Sequence, residues 1–476
     1  MFRSRGSGAR FFRMIPNKKL AVVLALAASA GLAASTLPAQ VTVPSDSAIR
    51  AILQNRIDSK RAVGIIAATI DHGQTKIFTA GGSGVPGIAL DGNTVFEIGS
   101  ITKVFTASLL ADMVARGEVK LDDPVAKYLP KSVRVPSRGG KQITLLDLAT
   151  QTSGLPRLPS NLNPKDQNNP YADYTVDQLY AFLSGYELTR DIGAQYEYSN
   201  LGVGLLGHAL ALRAGKGYED LLTERILRPL GMNDTRITLN PSMKSRLAPG
   251  HSASGAVVAN WDLPTLAGAG ALRSTANDLL KFLAANLDST STPLGRVLAM
   301  THFARRDVND GQMRIGLNWH ILNSFGHPIV WHNGGTGGYR SFIAFDDTNK
   351  RGVVVLSDQV VAPDDIGFHL LDERAPLTPA VALKVRTEIA IDPAVLETYV
   401  GVYQLAPNFD IAVTREGASL YVQATGQPKV QVFAESPTEF FLKEVDAQIT
   451  FEKDSTGKVT RLILHQGGMD APGVKK

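Results

Sequence analysis

Apolar residues that follow the N-terminal segment occur at two different spacings, which predict two kinds of element. Residues 45–60 carry them three or four positions apart and predict a helix. Residues 64–70 and 75–80 predict the two strands of a hairpin. Further helices are expected from Ser100 to a stop at Gly117 and over 145–150, 176–183, 201–212, 218–226, 276–285 and 364–371. Further strands are expected over 316–322, 328–332, 340–346 and 352–357.

The order of these elements indicates the fold class. Strands come first, a long helical block follows, and strands return before a closing helix. This grouping is typical of an α+β fold, in which an antiparallel sheet is flanked by helices. We therefore expect such a domain over residues 40–372, with an all-helical insertion.

The C-terminal part of the chain has a different pattern. Residues 376–392 contain Pro and Ala without clear periodicity, so we expect a linker over 373–391. Short runs typical of strands then alternate with turn residues, and they predict a small antiparallel barrel or sandwich over 392–476. These runs cover 400–405, 409–415, 419–424, 430–434, 439–443, 447–452 and 459–465.

The N-terminal segment predicts export. Residues 1–39 contain six basic residues and no acidic one, and they include the apolar stretch 20–34. This combination is typical of a cleaved signal peptide, which places the mature protein in the periplasm or outside the cell. The alternative is an uncleaved membrane anchor, but the apolar stretch is short for a span.

Charge and cysteine content exclude several classes of protein. The net charge of +5 becomes −1 without the six leader bases, so no nucleic-acid partner is expected. The chain has no cysteine, which excludes disulfides, thiolate catalysis and cysteine-ligated zinc. The histidines show no paired metal-ligand spacing, and no His-Glu-x-x-His stretch is present. We expect no metal and no cofactor.

Ser100 and Lys103 form a Ser-x-x-Lys motif that places both side chains on one face of a helix. A serine hydroxyl needs a nearby base, and a buried lysine can act as one. The plain alternative is that Ser100 only caps the helix. A second copy, Ser455 to Lys458, is predicted to be a hairpin turn, so the motif alone is weak evidence.

Tyr198 and Asn200 lie just before the helix predicted over 201–212. A phenol whose pKa is lowered by a cation such as Lys103 could exchange protons with Ser100 and the leaving group. Asn200 could hold either a substrate carbonyl or the lysine. The alternative is that Ser199 or Asn200 merely caps the helix.

His332 ends an apolar strand, and four glycines occur in the next six residues. Glycine lets a backbone approach a ligand closely, so an amide at this strand end could join the amide of Ser100 in an oxyanion hole. The alternative is a glycine-rich hairpin turn with an incidental histidine. No Gly-x-Ser-x-Gly elbow is present, which disfavours an α/β-hydrolase.

In this order, Ser100-x-x-Lys103, Tyr198-Ser199-Asn200 and His332-Asn333-Gly334 resemble the three signature elements of class C β-lactamases and related low-molecular-weight penicillin-binding proteins. Two further segments resemble this family. They are Leu145-Leu146 through Thr152-Ser153-Gly154-Leu155-Pro156, and Ala267-Gly268-Ala269-Gly270 through Ser274-Thr275-Ala276-Asn277-Asp278. The resemblance covers about residues 45 to 372.

The resemblance implies a β-lactamase/transpeptidase-like fold and roles for these residues. Ser100 would form an acyl-enzyme, Lys103 and Tyr198 would move protons, and Asn200 would help to seat the substrate. His332 would line the carboxylate side of the cleft, in one substrate-binding element with Asn333 and Gly334. The amides of Ser100 and Gly335 would form the oxyanion hole.

The third element departs from efficient class C β-lactamases, which carry Lys-Thr-Gly there. The pattern His-x-Gly is similar to DD-peptidases, D-aminopeptidases and esterases of the family. A neutral histidine is a weaker anchor for a carboxylate than a permanently charged lysine. The C-terminal strands resemble the lipocalin-like domain that some family members carry.

We therefore expect an exported serine hydrolase that acts on a small-molecule or peptide amide, either a β-lactam or a D-amino-acid peptide such as D-Ala-D-Ala. The first alternative is a carboxylesterase for small esters. The others are a penicillin-binding sensor that acylates once without turnover, and a scaffold whose barrel carries the function.

Overall fold

The computed structural model describes residues 42–308, 311, 313–324, 326–379, 386–406, 409–425, 429–442, 447–466 and 469–476. The expected signal peptide over 1–39 lies outside the described residues, and so does part of the expected linker, residues 380–385. The expected strand over 439–443 is described only as far as residue 442.

The N-terminal domain consists of one sheet and several helices. The helices are α1 Asp46–Asp58, α2 Thr102–Ala115, α3 Leu145–Ala149, α4 Val176–Gly185, α5 Asn200–Ala214, α6 Tyr218–Leu222, α7 Pro241–Lys244, α8 Ala267–Gly270, α9 Ala276–Leu287, α10 Pro293–Ala299 and α11 Asp364–Leu371. A π-helical segment, Thr223–Leu227, extends α6, and short 3-10 helices cover Gly99–Ile101 and Val125–Tyr128.

The sheet has eight antiparallel strands in the order β2-β1-β8-β7-β6-β5-β4-β3. Their bounds are β1 Gly64–Asp71, β2 Gln74–Gly81, β3 Arg306–Val308, β4 Met313–Ile315, β5 His320–Ser324, β6 His327–Gly335, β7 Arg340–Asp346 and β8 Arg351–Ser357. Three short two-stranded pairs lie outside this sheet. They join Val95–Glu97 to Arg273–Thr275, Ser137–Arg138 to Lys141–Gln142 and Gly250–His251 to Val257–Val258. The antiparallel sheet flanked by helices confirms the expected fold.

The central strands are apolar on both faces because both faces of the sheet are covered. In β1, Ile66 and Ala68 belong to the large core that includes α2 and α9, whereas Ile65 and Ala67 face the smaller core with α1 and α11. Successive side chains of a strand point to opposite faces, so a doubly covered strand reads as a continuous apolar run.

Helix α2 is buried all round. Every residue from Thr102 to Met113 is buried, and the helix contacts α5, α8 and α10. Apolar residues at every fourth position, Ile101, Phe105, Leu109 and Met113, predict an amphipathic helix, and this prediction is wrong because a helix in the interior of a domain has no solvent face. As a result, Lys103 on this helix is fully buried.

The expected strand over 316–322 is wrong in its bounds. The chain forms β4 and β5 with a turn between them, in which Gly316 N donates to Trp319 O over 2.8 Å. Asn318 has φ +56°, a left-handed conformation that asparagine tolerates better than most residues. Because apolar residues continue through this turn, the sequence pattern did not show it.

The C-terminal region forms a closed barrel of eight antiparallel strands. They are β9 Gly401–Ala406, β10 Phe409–Glu416, β11 Ser419–Ala424, β12 Val430–Ala434, β13 Glu439–Phe441, β14 Ala447–Lys453, β15 Val459–Gln466 and β16 Met469–Lys475. Helix α12, Pro393–Tyr399, precedes them and contributes Leu396 and Tyr399 to the barrel core. The barrel alternative is thus confirmed over the sandwich.

The eighth barrel strand was not predicted. Strand β16 pairs with β9 at Tyr403↔Lys475 and Gln404↔Val474, and this pairing closes the barrel. Pro472 and Gly473 within it are unfavourable in strands, so its residue pattern does not predict a strand.

Across the described residues, we find no helix with the length and apolar character that a membrane crossing requires.

Gly367 provides a test of packing between α11 and the sheet. A methyl group at this position would lie 2.1 Å from Phe342 Cδ1, and Phe342 is fully buried against Phe368 and Trp331. We expect Gly367→Ala to lower the free energy of unfolding by about 1–3 kcal/mol, even though alanine favours helix. Urea denaturation of the purified protein measures this change.

The matched control is Gly185→Ala at the end of α4, where no atom lies within 4 Å of the added methyl group. This variant should be as stable as the wild type or slightly more stable. If Gly367→Ala is as stable as the wild type, α11 does not pack as closely on Phe342 as the structure shows.

Candidate active site

Ser100 lies in the 3-10 turn that leads into α2, and its side chain is partly exposed. The preceding residue, Gly99, has φ +48°, and a methyl group there would lie 2.6 Å from Gly335 N. Only glycine allows this approach of the two backbones. The turn therefore places the hydroxyl of Ser100 beside the end of β6.

Lys103 is one helical turn further along α2 and is fully buried. Its Nζ atom lies 2.9 Å from Ser100 Oγ, 2.8 Å from Asn200 Oδ1 and 2.6 Å from Ala269 O. Within the described residues, no carboxylate forms an ion pair with it. Burial, and secondarily the positive charge of Arg157, lower the pKa of Lys103 well below its ordinary value.

The three partners of Lys103 satisfy the side chain in both protonation states. As an ammonium ion it has three N–H groups, one for each oxygen. As a neutral amine it donates to Asn200 Oδ1 and Ala269 O, and its lone pair accepts the proton of Ser100. The lowered pKa favours this second arrangement, in which the amine can activate the serine.

Tyr198 completes this side of the site. Its ring centroid lies 4.8 Å from Lys103 Nζ and 5.0 Å from Arg157 Cζ, and Ser100 acts to lower the pKa of its hydroxyl. The expectation that a cation lowers the pKa of this phenol is wrong. Burial raises the pKa of Tyr198 to about 12, because it outweighs the opposing effects of Ser100 and Arg157. The phenol is therefore protonated at neutral pH.

Asn200 is the first residue of α5, and both of its side-chain groups contact protein. Its Oδ1 accepts from Lys103, and its Nδ2 donates to Tyr171 over 3.3 Å. The capping role belongs to Ser199, whose Oγ accepts from Gly202 N over 2.8 Å. Of the two expected partners of Asn200, the structure shows the lysine.

Gln151 holds the segment that carries Tyr198. Its Oε1 accepts from Ser199 N over 2.7 Å, and its backbone carbonyl accepts from Glu197 N over 2.8 Å. Gln151 has φ +60° and lies in the loop after α3, next to the Thr152-Ser153-Gly154 stretch. That loop therefore positions the phenol of Tyr198.

The end of β6 supplies the third expected element. Gly334 packs against the Ser100 turn, since a methyl group there would lie 2.0 Å from Ile98 O. Thr336 N donates to Tyr339 O over 3.1 Å, so in an antiparallel ladder the amide of Gly335 points away from β7. Gly335 is exposed, which leaves its N–H free to face a substrate oxygen.

Asn333 points to the other face of β6, where its Nδ2 donates to Asp364 Oδ1 at the start of α11. Burial raises the pKa of this aspartate to about 6. Residues Gly337 and Gly338 form the turn between β6 and β7, so the expected glycine-rich hairpin also exists.

The resemblance implied that His332 lines the cleft, but its side chain is only 1% exposed. Its Nδ1 donates to Asn333 O over 2.6 Å, and its ring lies 5.2 Å from that of His320 and 6.3 Å from that of Tyr198. Burial, then the nearby His320 and Lys103, lower the pKa of His332 well below its ordinary value. At neutral pH it is an uncharged imidazole within the wall of the site.

Four residues of the site were not predicted from the sequence. The carbonyl of Ala269 binds Lys103, Tyr171 binds Asn200, Arg157 lies over the Tyr198 ring, and His320 accepts from or donates to Tyr196 Oη over 2.9 Å. Ala269 and Arg157 lie within or directly after segments that the resemblance included. No residue-type argument pointed to a carbonyl group or to an isolated arginine.

The second Ser-x-x-Lys copy is a turn, as predicted. Asp454 N donates to Lys458 O over 2.9 Å between β14 and β15, and both Ser455 and Lys458 are exposed.

Comparisons with known proteins agree with this geometry. The family model described as Beta-lactamase matches residues 49–373, and a domain of unknown function, DUF3471, matches residues 385–472. The chain is 32% identical over 332 residues to the D-alanyl-D-alanine-carboxypeptidase/endopeptidase AmpH of Escherichia coli strain K12, covering 67% of this chain and 81% of that protein.

Two other comparisons extend this result. Penicillin-binding protein 4* of Bacillus subtilis is 27% identical over 415 residues, covering 80% of this chain and 88% of that protein. The crystal structure of a Beta-lactamase/D-alanine Carboxypeptidase from Yersinia pestis aligns with TM-score 0.58 and 28% identity, covering 66% of this chain and 94% of that one.

The lowered pKa of Lys103 predicts a specific pH dependence of stability. Between its folded-state pKa and the ordinary value of 10.5, the unfolded chain binds more protons than the folded one. The free energy of unfolding therefore rises with pH in this range, by up to about 1.4 kcal/mol per pH unit for one group. Lys103→Met removes this contribution.

We expect the stability of the wild type, measured by urea denaturation, to increase relative to Lys103→Met as the pH is raised from 7 to 10. Replacing the exposed Lys131 by Met controls for the loss of any lysine from the unfolded chain. Parallel curves for wild type and Lys103→Met would show that Lys103 is charged in the folded protein.

Proposed function

Because this chain belongs to the β-lactamase family, whose members are serine hydrolases, we propose that Ser100 is its nucleophile. The proposed reaction is the hydrolysis of an amide in peptides that end in D-alanyl-D-alanine, through an acyl-enzyme. The observation that supports it most strongly is the contact of 2.9 Å between Ser100 Oγ and a fully buried Lys103 Nζ.

In the first step, Ser100 Oγ attacks the substrate carbonyl carbon while its proton moves to the neutral amine of Lys103. The carbonyl oxygen takes the electron pair of the C=O double bond and becomes an oxyanion. The amides of Ser100 and Gly335 would bind it, and the close approach of the end of β6 to the Ser100 turn supports this role. Each such hydrogen-bond donor typically lowers the activation barrier by about 3 kcal/mol.

Collapse of this intermediate breaks the C–N bond and needs a proton for the leaving nitrogen. The protonated phenol of Tyr198, whose ring lies 4.8 Å from Lys103 Nζ, would supply it. The resulting phenolate lies beside the Lys103 ammonium and the Arg157 guanidinium, both of which stabilise its charge.

Deacylation reverses these roles. The phenolate of Tyr198 takes a proton from the attacking water, and the hydroxide oxygen bonds to the acyl carbon. The ester bond to Ser100 Oγ then breaks, and the Lys103 ammonium returns the proton to that oxygen. The serine, amine and phenol are restored, so the protein supports repeated turnover rather than a single acylation.

Two observations favour D-alanyl peptides over β-lactams. The relative with the name D-alanyl-D-alanine-carboxypeptidase/endopeptidase is 32% identical, and the Beta-lactamase of Pseudomonas fluorescens is 28% identical. The third element has a buried, uncharged His332 where efficient class C β-lactamases have lysine. β-Lactam hydrolysis is the second candidate, since several relatives are named for it.

We further propose export and a division of labour. Residues 1–39 would direct the protein to the periplasm or the medium, and residues 40–372 would carry the catalytic site. A linker over 373–391 would join it to the barrel over 392–476. The lipocalin-like character of this barrel stays a prediction.

The nucleophile is tested by Ser100→Ala, with labelling by a fluorescent penicillin and by a fluorophosphonate as the measurement. We expect loss of both labels, because no other hydroxyl of the described residues contacts Lys103 Nζ. The matched control is Ser455→Ala in the second Ser-x-x-Lys copy, which should label like the wild type. Undiminished labelling of Ser100→Ala would refute the assignment.

The substrate is tested by a side-by-side assay of a D-Ala-D-Ala peptide, nitrocefin and p-nitrophenyl acetate. We expect the highest kcat/KM for the peptide and many product equivalents per protein. A higher value for nitrocefin or for the ester would instead establish a β-lactamase or an esterase. Less than one product equivalent for all three would indicate a sensor or scaffold.

A further inference from the structure

We propose that Arg157 is a substrate-binding residue that recognises a carboxylate group of the substrate beside Ser100. This inference deepens the proposed function and rests on it. A negatively charged substrate group would need a cation in the site, and the buried His332 is not placed to bind it.

The backbone of Arg157 is fixed to the start of α5. Its carbonyl oxygen accepts from Asn200 N over 3.0 Å and from Leu201 N over 3.2 Å. The guanidinium lies over the Tyr198 ring, with Cζ 5.0 Å from the centroid. Its charge also acts to lower the pKa values of Lys103, Tyr171 and Tyr196, so it lies close to the same group of side chains.

Within the described part of the chain, the guanidinium of Arg157 stacks on Tyr198 but forms no hydrogen bond and no ion pair. The side chain is half-buried, and its nitrogen atoms are accessible to solvent. Two neighbouring arginines differ in this respect. Arg190 pairs with Glu197, and Arg340 Nη1 donates to Thr336 O and Tyr339 O.

The positive charge of Arg157 lowers the pKa of Lys103 and so favours its neutral amine. An anionic substrate group would be attracted to Arg157. The planar guanidinium can bind a carboxylate through two parallel hydrogen bonds, and it stays charged at every physiological pH. His332 is an uncharged imidazole, and Arg340 Nη1 donates to backbone carbonyls, whereas the guanidinium of Arg157 over the Tyr198 ring is open to an anionic ligand.

A peptide substrate offers a carboxylate on either side of the scissile bond. The leaving group carries the terminal carboxylate of D-alanine, and the acyl part can carry an acidic side chain. Both present the same chemistry to Arg157, so the experiment must distinguish them.

The experiment compares kcat/KM for two pairs of peptides with wild type, Arg157→Met and Arg157→Lys. One pair ends in D-Ala-D-Ala as a free acid or as an amide. The other pair ends in the free acid and has Glu or Gln before the two D-alanines. The ratio within a pair cancels any effect of Arg157 on Lys103, because that effect applies equally to both members.

We expect Arg157→Met to reduce the preference for the acidic member of one pair by about 10- to 100-fold. Arg157→Lys should retain part of the preference, since it keeps the charge but loses the second hydrogen bond. The pair that responds identifies the side of the scissile bond. Arg190→Met is the matched control, and its ratios should equal those of the wild type.

Unchanged ratios in both pairs for Arg157→Met would overturn the inference, whether or not the overall rate falls. Labelling of Arg157→Met by the uncharged fluorophosphonate tests the proposed function separately. A labelled variant with unchanged ratios would refute carboxylate recognition and leave Ser100 as the nucleophile. Absence of labelling in the wild type would refute the proposed function itself.

Discussion

The burial of Lys103 without a carboxylate partner is the constraint on which the rest of the site depends. A charged amine in this position would lose its hydration and gain only three neutral oxygens in return. The neutral form is therefore favoured, and a neutral amine beside a hydroxyl is a general base. The surroundings of α2, which is buried on all sides, are what create this condition.

Each other part of the site serves this amine or its products. The carbonyl of Ala269 and the amide of Asn200 hold its N–H groups, and Gln151 fixes the segment with Tyr198. The glycines on both sides of the contact between the Ser100 turn and β6 allow two backbones to meet there. The site is thus built from a helix, a strand end and a capped helix start that converge at one hydroxyl.

The sequence predicted which residues lie together in the site better than it predicted their burial and pKa shifts. The spacing of Ser100 and Lys103 and the order of the three elements were sufficient to identify residues that the structure places close together. The predicted direction of the Tyr198 pKa shift and the predicted exposure of His332 were both wrong, because burial depends on packing between distant segments. Arg157 and the Ala269 carbonyl were missed because no residue-type argument points to an isolated arginine or to a backbone carbonyl. The eighth barrel strand was missed because Pro472 and Gly473 interrupt the alternation of apolar and polar residues that predicts a strand.

The most direct measurement of the central claim is the titration of Lys103 itself. In protein labelled with ¹³C at the lysine ε-carbons, the Lys103 signal is identified by its absence from Lys103→Met and followed by NMR against pH. The account predicts a midpoint well below 10.5. A midpoint at or above 10.5 would mean that the buried amine is protonated at neutral pH, and it would contradict the role of Lys103 as the base for Ser100.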